Sequence, residues 1–530
     1  MRELSADIVI IGGGVGGIAA ALAACEAGRS VIMAEPCAWI GGQLTSQAVP
    51  PDEHPWIETH GSSRRYRAYR EHVRSYYRQH YPLTPASRAD RHLNPGGGWV
   101  SALCHEPRVA HAVLCAMLAP FEAAGRLTIL RNAVPVSADT DGRRVAAVTV
   151  SLPGQENVVL QARYFLDASE TGDLLALARI AHRTGTESRA ETGEPSAPEI
   201  GDPTNMQATT MVMALEHVDG DHTIDRPDDY DHWRTARPAG WPNPLLDWHY
   251  PNPRTLKPVT PRFRPNAPAD HDSHEGALRM PDLWSYRRII DRNQFEPGFF
   301  ASDITLVNWP MNDYLEGPVF GTADAAKHVD RAGALSLSLL YWLQTEAERP
   351  DGGMGYRGLR LRGDVMGTQT GLAQAPYIRE GRRIAAMTTI CEQDIAVALR
   401  DDGARRYRDV VGVGAYRIDL HPTTGGTNYV DVGSFPFQIP LGALIPVEMD
   451  NVLAAGKTIG TTHITNGCYR VHPSEWCIGE AAATTLVHAL ASGSIPRDIW
   501  HSDTLLQDLQ ATLATTGSDL DWPGNERLPG

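Results

Sequence analysis

The run Gly12-Gly13-Gly14-Val15-Gly16-Gly17 constrains the fold more than any other feature of the chain. It directly follows an apolar strand pattern, Ala6 to Ile11, and leads into alanine-rich helix material that ends near Ala27. A GxGxxG string in that strand-to-helix setting is the turn of a dinucleotide-binding βαβ unit. Gly12 permits the tight turn, Gly14 lets backbone approach a pyrophosphate, and Gly17 lets helix and strand pack closely. The helix N-terminus supplies unbonded N–H groups and positive potential for the phosphates. A second apolar run from Ser30 to Ala34 ends at Glu35, where a carboxylate accepts from ribose hydroxyls and repels a 2′-phosphate.

A chain of 530 residues with 42% apolar content exceeds one compact core, so two intimately connected domains are expected. The reading is α/β: a doubly wound, Rossmann-like domain assembled from residues 1–210 and 441–530, with an α+β substrate or cap domain inserted over 211–440. The net charge of −15 opposes attraction to nucleic acid or an anionic membrane and favours a polar small-molecule partner. No apolar run approaches a membrane span, and the strand pattern at Ala6 has no signal region before it, so a cytoplasmic protein is expected. Seven scattered cysteines without a CxxC pair suggest neither a disulfide framework nor a zinc site, and no metal is assigned.

Further along, residues 108–124 read as an amphipathic helix, whereas 56–82 are rich in Arg and Tyr with little apolar periodicity. Strands are expected near Leu127–Asn132, Arg144–Leu152 and Val158–Asp167, forming a small antiparallel meander that returns to the dinucleotide sheet. The stretch 215–300, crowded with Pro, Asp, His and Trp, reads as an irregular cap. A helix near 323–347, a buried strand at 451–456 and an alanine-rich helix at 475–491 follow, and the last two dozen residues are expected to be loosely held.

Ile40-Gly41-Gly42-Gln43-Leu44-Thr45, just after Glu35, is an element that plain NAD dehydrogenases lack and that flavoproteins run beside the cofactor, so FAD is the expected cofactor. No second GxGxxG occurs in a strand-to-helix setting, which argues against an intrinsic NAD(P)H domain. Together with Asn94–Trp99, Asp167–Leu174, Tyr377–Arg383, Ile418–Pro422, Asn451–Gly456 and Arg470–Ala482, these motifs resemble the FAD-dependent oxidoreductases related to the flavoprotein subunits of fumarate reductase and succinate dehydrogenase. The chain departs from that pattern at Gly381, at Lys457 and within Ala481-Ala482-Ala483, where the family has a glycine.

The resemblance and the residue chemistry together give the candidate site. Gly12, Gly14, Gly17, Glu35, Gly42, Gln43, Val134, Asp167 and Gly456 are expected to bind FAD. Gly479, Ala481 and Ala482 are read as opening a helix whose N–H groups face the flavin N1–C2=O region. His421, His463 and His472 are candidates for a base near neutral pH. Arg379 and Arg470 are candidates to orient substrate, and Trp309, Asn312 and Asn466 to contact it. Arg382 and Arg383 read equally as anion ligands or as partners of acids such as Glu380; for Asp167, proximity to FAD is favoured over a turn cap. The expected reaction is dehydrogenation of a polar small molecule, with hydride passing to flavin N5; flavin monooxygenation and a non-catalytic FAD-holding role are the alternatives. His54, His60 and Cys104 are candidate points of covalent flavin attachment.

Overall fold

The computed structural model describes residues 2–268, 282–524 and 528, so positions 269–281 of the expected cap lie outside the described residues. β1 (Arg2–Ile11), α1 (Val15–Glu26) and β2 (Val31–Glu35) form the βαβ unit. All of β2, and β1 from Ile8 to Ile11, is buried, as befits parallel strands covered on both faces.

α2 (Arg64–His80) and α3 (Pro107–Ala123) precede β3 (Leu127–Arg131), β4 (Val134–Asp141), β5 (Arg144–Ser151) and β6 (Val158–Asp167). The sheet runs β3-β2-β1-β6-β5-β4. β3, β2, β1 and β6 are parallel, and β5 and β4 continue antiparallel. The expected meander is therefore corrected: Leu127–Arg131 joins the parallel sheet beside β2, and the third antiparallel strand is β4. That strand is the sheet's edge, mostly exposed and polar, so it carries no apolar signal.

The inserted region carries a second, antiparallel sheet in the order β8-β9-β7-β10, built from β7 (Met213–His217), β8 (Arg288–Ile290), β9 (Ile304–Val307) and β10 (Leu359–Leu361). A long helix, α4 (Ala325–Thr345), lies between β9 and β10 in the chain. β11 (Ile418–Leu420) and β12 (Val430–Val432) then form a hairpin. The chain returns with β13 (Val452–Ala454), which pairs in parallel with the Phe165–Asp167 end of β6, so the first sheet is completed from far along the sequence.

α5 (His463–Tyr469), α6 (His472–Ser492) and α7 (Asp503–Thr516) follow. The expectation of a loose tail is overturned for 507–524: α7 buries Leu506, Leu509 and Leu513, and Trp522 packs against His54, Trp56 and His60. Residues 525–527, 529 and 530 lie outside the described residues. Among the described residues, no helix is long and apolar enough to cross a membrane.

Candidate active site

Gly12 sits at φ +97°, and a Cβ there would overlap the Ala168 backbone, so the end of β1 lies flush against the end of β6. α1 starts at Gly14 with no capping side chain, which leaves its first N–H groups open to an anion. Gly17 packs against the Gly12 carbonyl oxygen. At the end of β2, Glu35 accepts the Gly13 N–H at 2.7 Å and the Cys37 N–H at 2.8 Å. Burial pushes its carboxyl up to about 7, with those two donors opposing. Gly42 lies beside Gly14, the Glu170 carboxylate sits against both, and Lys457 is its ion-pair partner. Gln43 Oε1 is buried with no hydrogen-bond partner among the described residues. An open helix start, a strand-end carboxylate and an orphaned acceptor fit a dinucleotide with ribose and phosphate groups.

Gln43 joins this cradle to a second space. Its Nε2 donates to the Arg470 carbonyl at 3.0 Å and to Glu475 Oε2 at 2.6 Å. The Arg470 side chain lines a cavity of about 520 Å³ whose wall includes Asp52, Arg287, Trp309, Tyr377, Arg379 and His421. Arg470 Nη1 donates to the Tyr377 hydroxyl at 2.6 Å, and Arg379 stacks over the Tyr377 ring at 4.8 Å.

His421, just past β11, places Nδ1 2.6 Å from Asp313 Oδ2. Asp313 Oδ1 accepts the Thr210 hydroxyl at 2.7 Å and faces Arg379 Nη2 at 3.1 Å. Burial opposes ionisation of Asp313, but Arg379 and then His421 hold it down at about 2. A carboxylate can only accept, so His421 Nδ1 carries the proton and Nε2 the lone pair. Burial, then the nearby Arg379 charge, lowers the His421 pKa below its ordinary value while Asp313 opposes them. The arrangement holds a neutral imidazole with an anchored tautomer at a polar cavity.

Of the residues singled out in the sequence, His54, Trp309, Arg379, His421 and Arg470 line this cavity. Four other candidates, His463, His472, Asn312 and Asn466, do not line it. His463 is held by Glu380 at 3.2 Å and its backbone N–H by Glu187, away from the cavity wall. His472 does not line the cavity: it accepts the Asp52 N–H on Nδ1 at 3.0 Å, and burial followed by the Lys457 charge pushes it down to about 3. Asn312 is a turn brace: it accepts the Trp309 N–H at 2.9 Å and donates to the Val307 carbonyl and the Ser336 hydroxyl. Asn466 is buried within α5 and does not line the cavity.

The Asp167 carboxylate is spent on the Ser169 N–H and hydroxyl and on the Leu175 N–H, which makes it a cap of the following turn. Gly479, Ala481 and Ala482 do not open a helix, because α6 begins at His472; Gly479 lies mid-helix against the Gly16 backbone of α1. Gly456 packs beside Glu475, and Val134 starts the exposed edge strand β4. Arg383 is buried between Glu380 and Glu187, whereas Arg382 donates to the Thr171 carbonyl. Asp313 and Arg287 escaped the sequence reading; Asp313 directly follows the candidate Asn312, and Arg287 stands in the stretch read as an irregular cap.

A glycine turn on a parallel sheet, communicating through Gln43 with a polar cavity that holds an imidazole, defines a dinucleotide-dependent oxidoreductase. The chain belongs to the FAD dependent oxidoreductase family, whose model matches residues 7–513, and its cofactor is FAD. No curated protein matches it. Among solved structures, a geranylgeranyl bacteriochlorophyll reductase-like protein from Thermoplasma acidophilum is 10% identical over 97% of this chain and 85% of its own, with a TM-score of 0.34. L-proline dehydrogenase from P. horikoshii is 14% identical over 35% of this chain and 24% of its own, with a TM-score of 0.18. The Sdh1 complex of Mycobacterium smegmatis in the apo form is 11% identical over 40% of this chain and 42% of its own, with a TM-score of 0.26. The match thus spans less than half the length of the last two.

Proposed function

We propose that this chain dehydrogenates a polar small molecule, with His421 as the general base and Asp313 as the residue that positions it. The observation that carries this reading is the 2.6 Å contact between His421 Nδ1 and Asp313 at the cavity wall. FAD, when bound, supplies the acceptor for the two electrons that leave the substrate carbon as hydride. His421 Nε2 takes the accompanying proton from oxygen, nitrogen or an adjacent carbon, and Asp313 offsets the positive charge that the imidazole acquires. Arg379 and Arg470 orient the substrate. The net charge of −15 and seven unpaired cysteines support a cytosolic setting without a nucleic-acid partner.

Anaerobic mixing of the flavin-loaded protein with candidate polar alcohols, amines and acids tests the reading by bleaching of the flavin absorbance. His421→Ala should stay yellow and reduce about 10²–10⁴-fold more slowly. Reduction by NAD(P)H alone, or an unaltered rate in His421→Ala, would overturn it.

A further inference from the structure

Most guanidinium groups of the cavity wall already have a carboxylate. Arg379 faces Asp313, Arg470 lies 3.9 Å from Asp419, and Arg254 and Arg417 meet at Asp431. Glu53, also in the wall, is held by Arg70 outside it. Arg287 is different. It is 9% exposed, stacks on the Tyr286 ring, and makes one hydrogen bond, Nε to the Asn308 carbonyl at 3.3 Å. Among the described residues no carboxylate lies within ion-pairing distance of it, and Nη1 is buried without any acceptor.

A buried guanidinium without a hydrogen-bonded carboxylate is costly to desolvate, and Arg287 is offset at longer range by the Asp52 charge in the same wall. Among the described residues, Asn308 Nδ2 and Trp309 Nε1 are also buried donors without acceptors, as are the Nε atoms of Arg379 and Arg470. These donors with no acceptor among the described residues thus belong to side chains that line one cavity. A molecule that fills the space can supply the missing acceptor.

Building on the dehydrogenase reading above, we propose that the substrate is a small organic acid whose carboxylate is held by Arg287. One unpaired guanidinium offsets a single negative charge, and its planar fork matches the two oxygens of a carboxylate. A phosphate ester brings up to two charges into a wall that already carries Asp52, Asp419 and Asp431, so it is the poorer match. With the carboxylate on Arg287, the rest of the molecule lies in the same cavity as His421, and Arg287 becomes the residue that selects acids over their neutral counterparts.

The experiment uses flavin-loaded protein and three probes, sodium benzoate, benzamide and inorganic phosphate, read by calorimetry and by perturbation of the flavin spectrum. Benzoate should bind at least tenfold more tightly than benzamide or phosphate. Arg287→Met should abolish that preference, and Arg287→Lys, which keeps the charge without the fork, should retain part of it with an unchanged flavin spectrum. Equal binding of benzoate and benzamide to the unaltered protein would overturn the proposal whether or not any variant folds. So would preferential binding of phosphate, or full benzoate binding by Arg287→Met. Benzoate binding that persists in His421→Ala while no acid bleaches the flavin would leave the carboxylate site standing and remove the dehydrogenase reading instead.

Discussion

Asp313 receives three donors, from Thr210, Arg379 and His421, and has no proton of its own to give. An amide in its place would turn an N–H toward His421 Nδ1 and drive the imidazole into the tautomer with Nε2 protonated. The base would be lost although the ring stayed in place. Asp313→Asn should therefore keep FAD and slow flavin reduction by about 10²–10⁴-fold, measured by anaerobic stopped-flow. The pH profile of the unaltered protein carries the same signature. Burial and Arg379 depress the His421 pKa below its ordinary 6.5, so reduction should be flat near neutrality and fall only as pH drops below that value, where the protonated ring can no longer accept. A profile still rising above pH 7 would assign the proton to another group. His421 was legible because it ends a motif, Ile418 to Pro422. Its partner was not, because Asp313 lies 108 positions away, and the pairing of Asp313–Tyr314 with Thr209–Thr210, together with the bridge between Gln207 and Thr423, brings the two near.

At the scale of elements, small residues do their work between helices. Gly479 in α6 meets the Gly16 backbone of α1, and any Cβ there would overlap the Gly16 carbonyl group. In an exposed helix interior, exchange of Gly for Ala gains about 0.5–1 kcal/mol. Here overpacking should outweigh that gain by costing about 1–3 kcal/mol, so Gly479→Ala should lower the unfolding midpoint and loosen FAD, since Gly16 belongs to the phosphate turn. A higher midpoint would mean that the two helices part freely. The pattern that misplaced the start of α6 is the same alanine run that was legible as a helix; its first turn, His472 to Glu475, contains Pro473 and polar residues and gives no apolar period. α2 was illegible for a related reason. Its buried stripe is Tyr66, Tyr69, Val73 and Tyr77, and the flanking Arg70 and Arg74 are buried by pairing with Glu53 and Glu58. Charges neutralised by distant acids look like surface in a sequence.

Across the whole molecule, strands from both ends of the chain meet in one sheet, with β13 completing what β1 and β6 begin, so a ligand held in the glycine cradle braces the global fold. A ligand that binds only the folded state stabilises it by about 2.7 kcal/mol at a hundredfold excess over Kd, and that increment reads directly as a shift in midpoint. Glu35 should make the shift depend on pH. Burial raises its carboxyl to about 7 in the cofactor-free protein, with Glu170 adding to the rise. Ribose hydroxyls donating to the carboxylate favour the ionised form, so binding of FAD should release a proton from Glu35 at pH values below about 7. The sign follows: acidification opposes that release and weakens binding, whereas above about 7 the group is already ionised and makes no further demand. Glu35→Gln keeps an acceptor but cannot ionise. The FAD-induced increase in unfolding midpoint should therefore exceed that of Glu35→Gln most at pH 8, with the difference shrinking toward pH 6. Because Glu475 is also raised to about 7 and faces Glu170, it can add a slope of its own, which the variant shares. The comparison of the two proteins isolates the Glu35 proton, and a difference that stays constant from pH 8 to pH 6 would remove Glu35 from the ribose site.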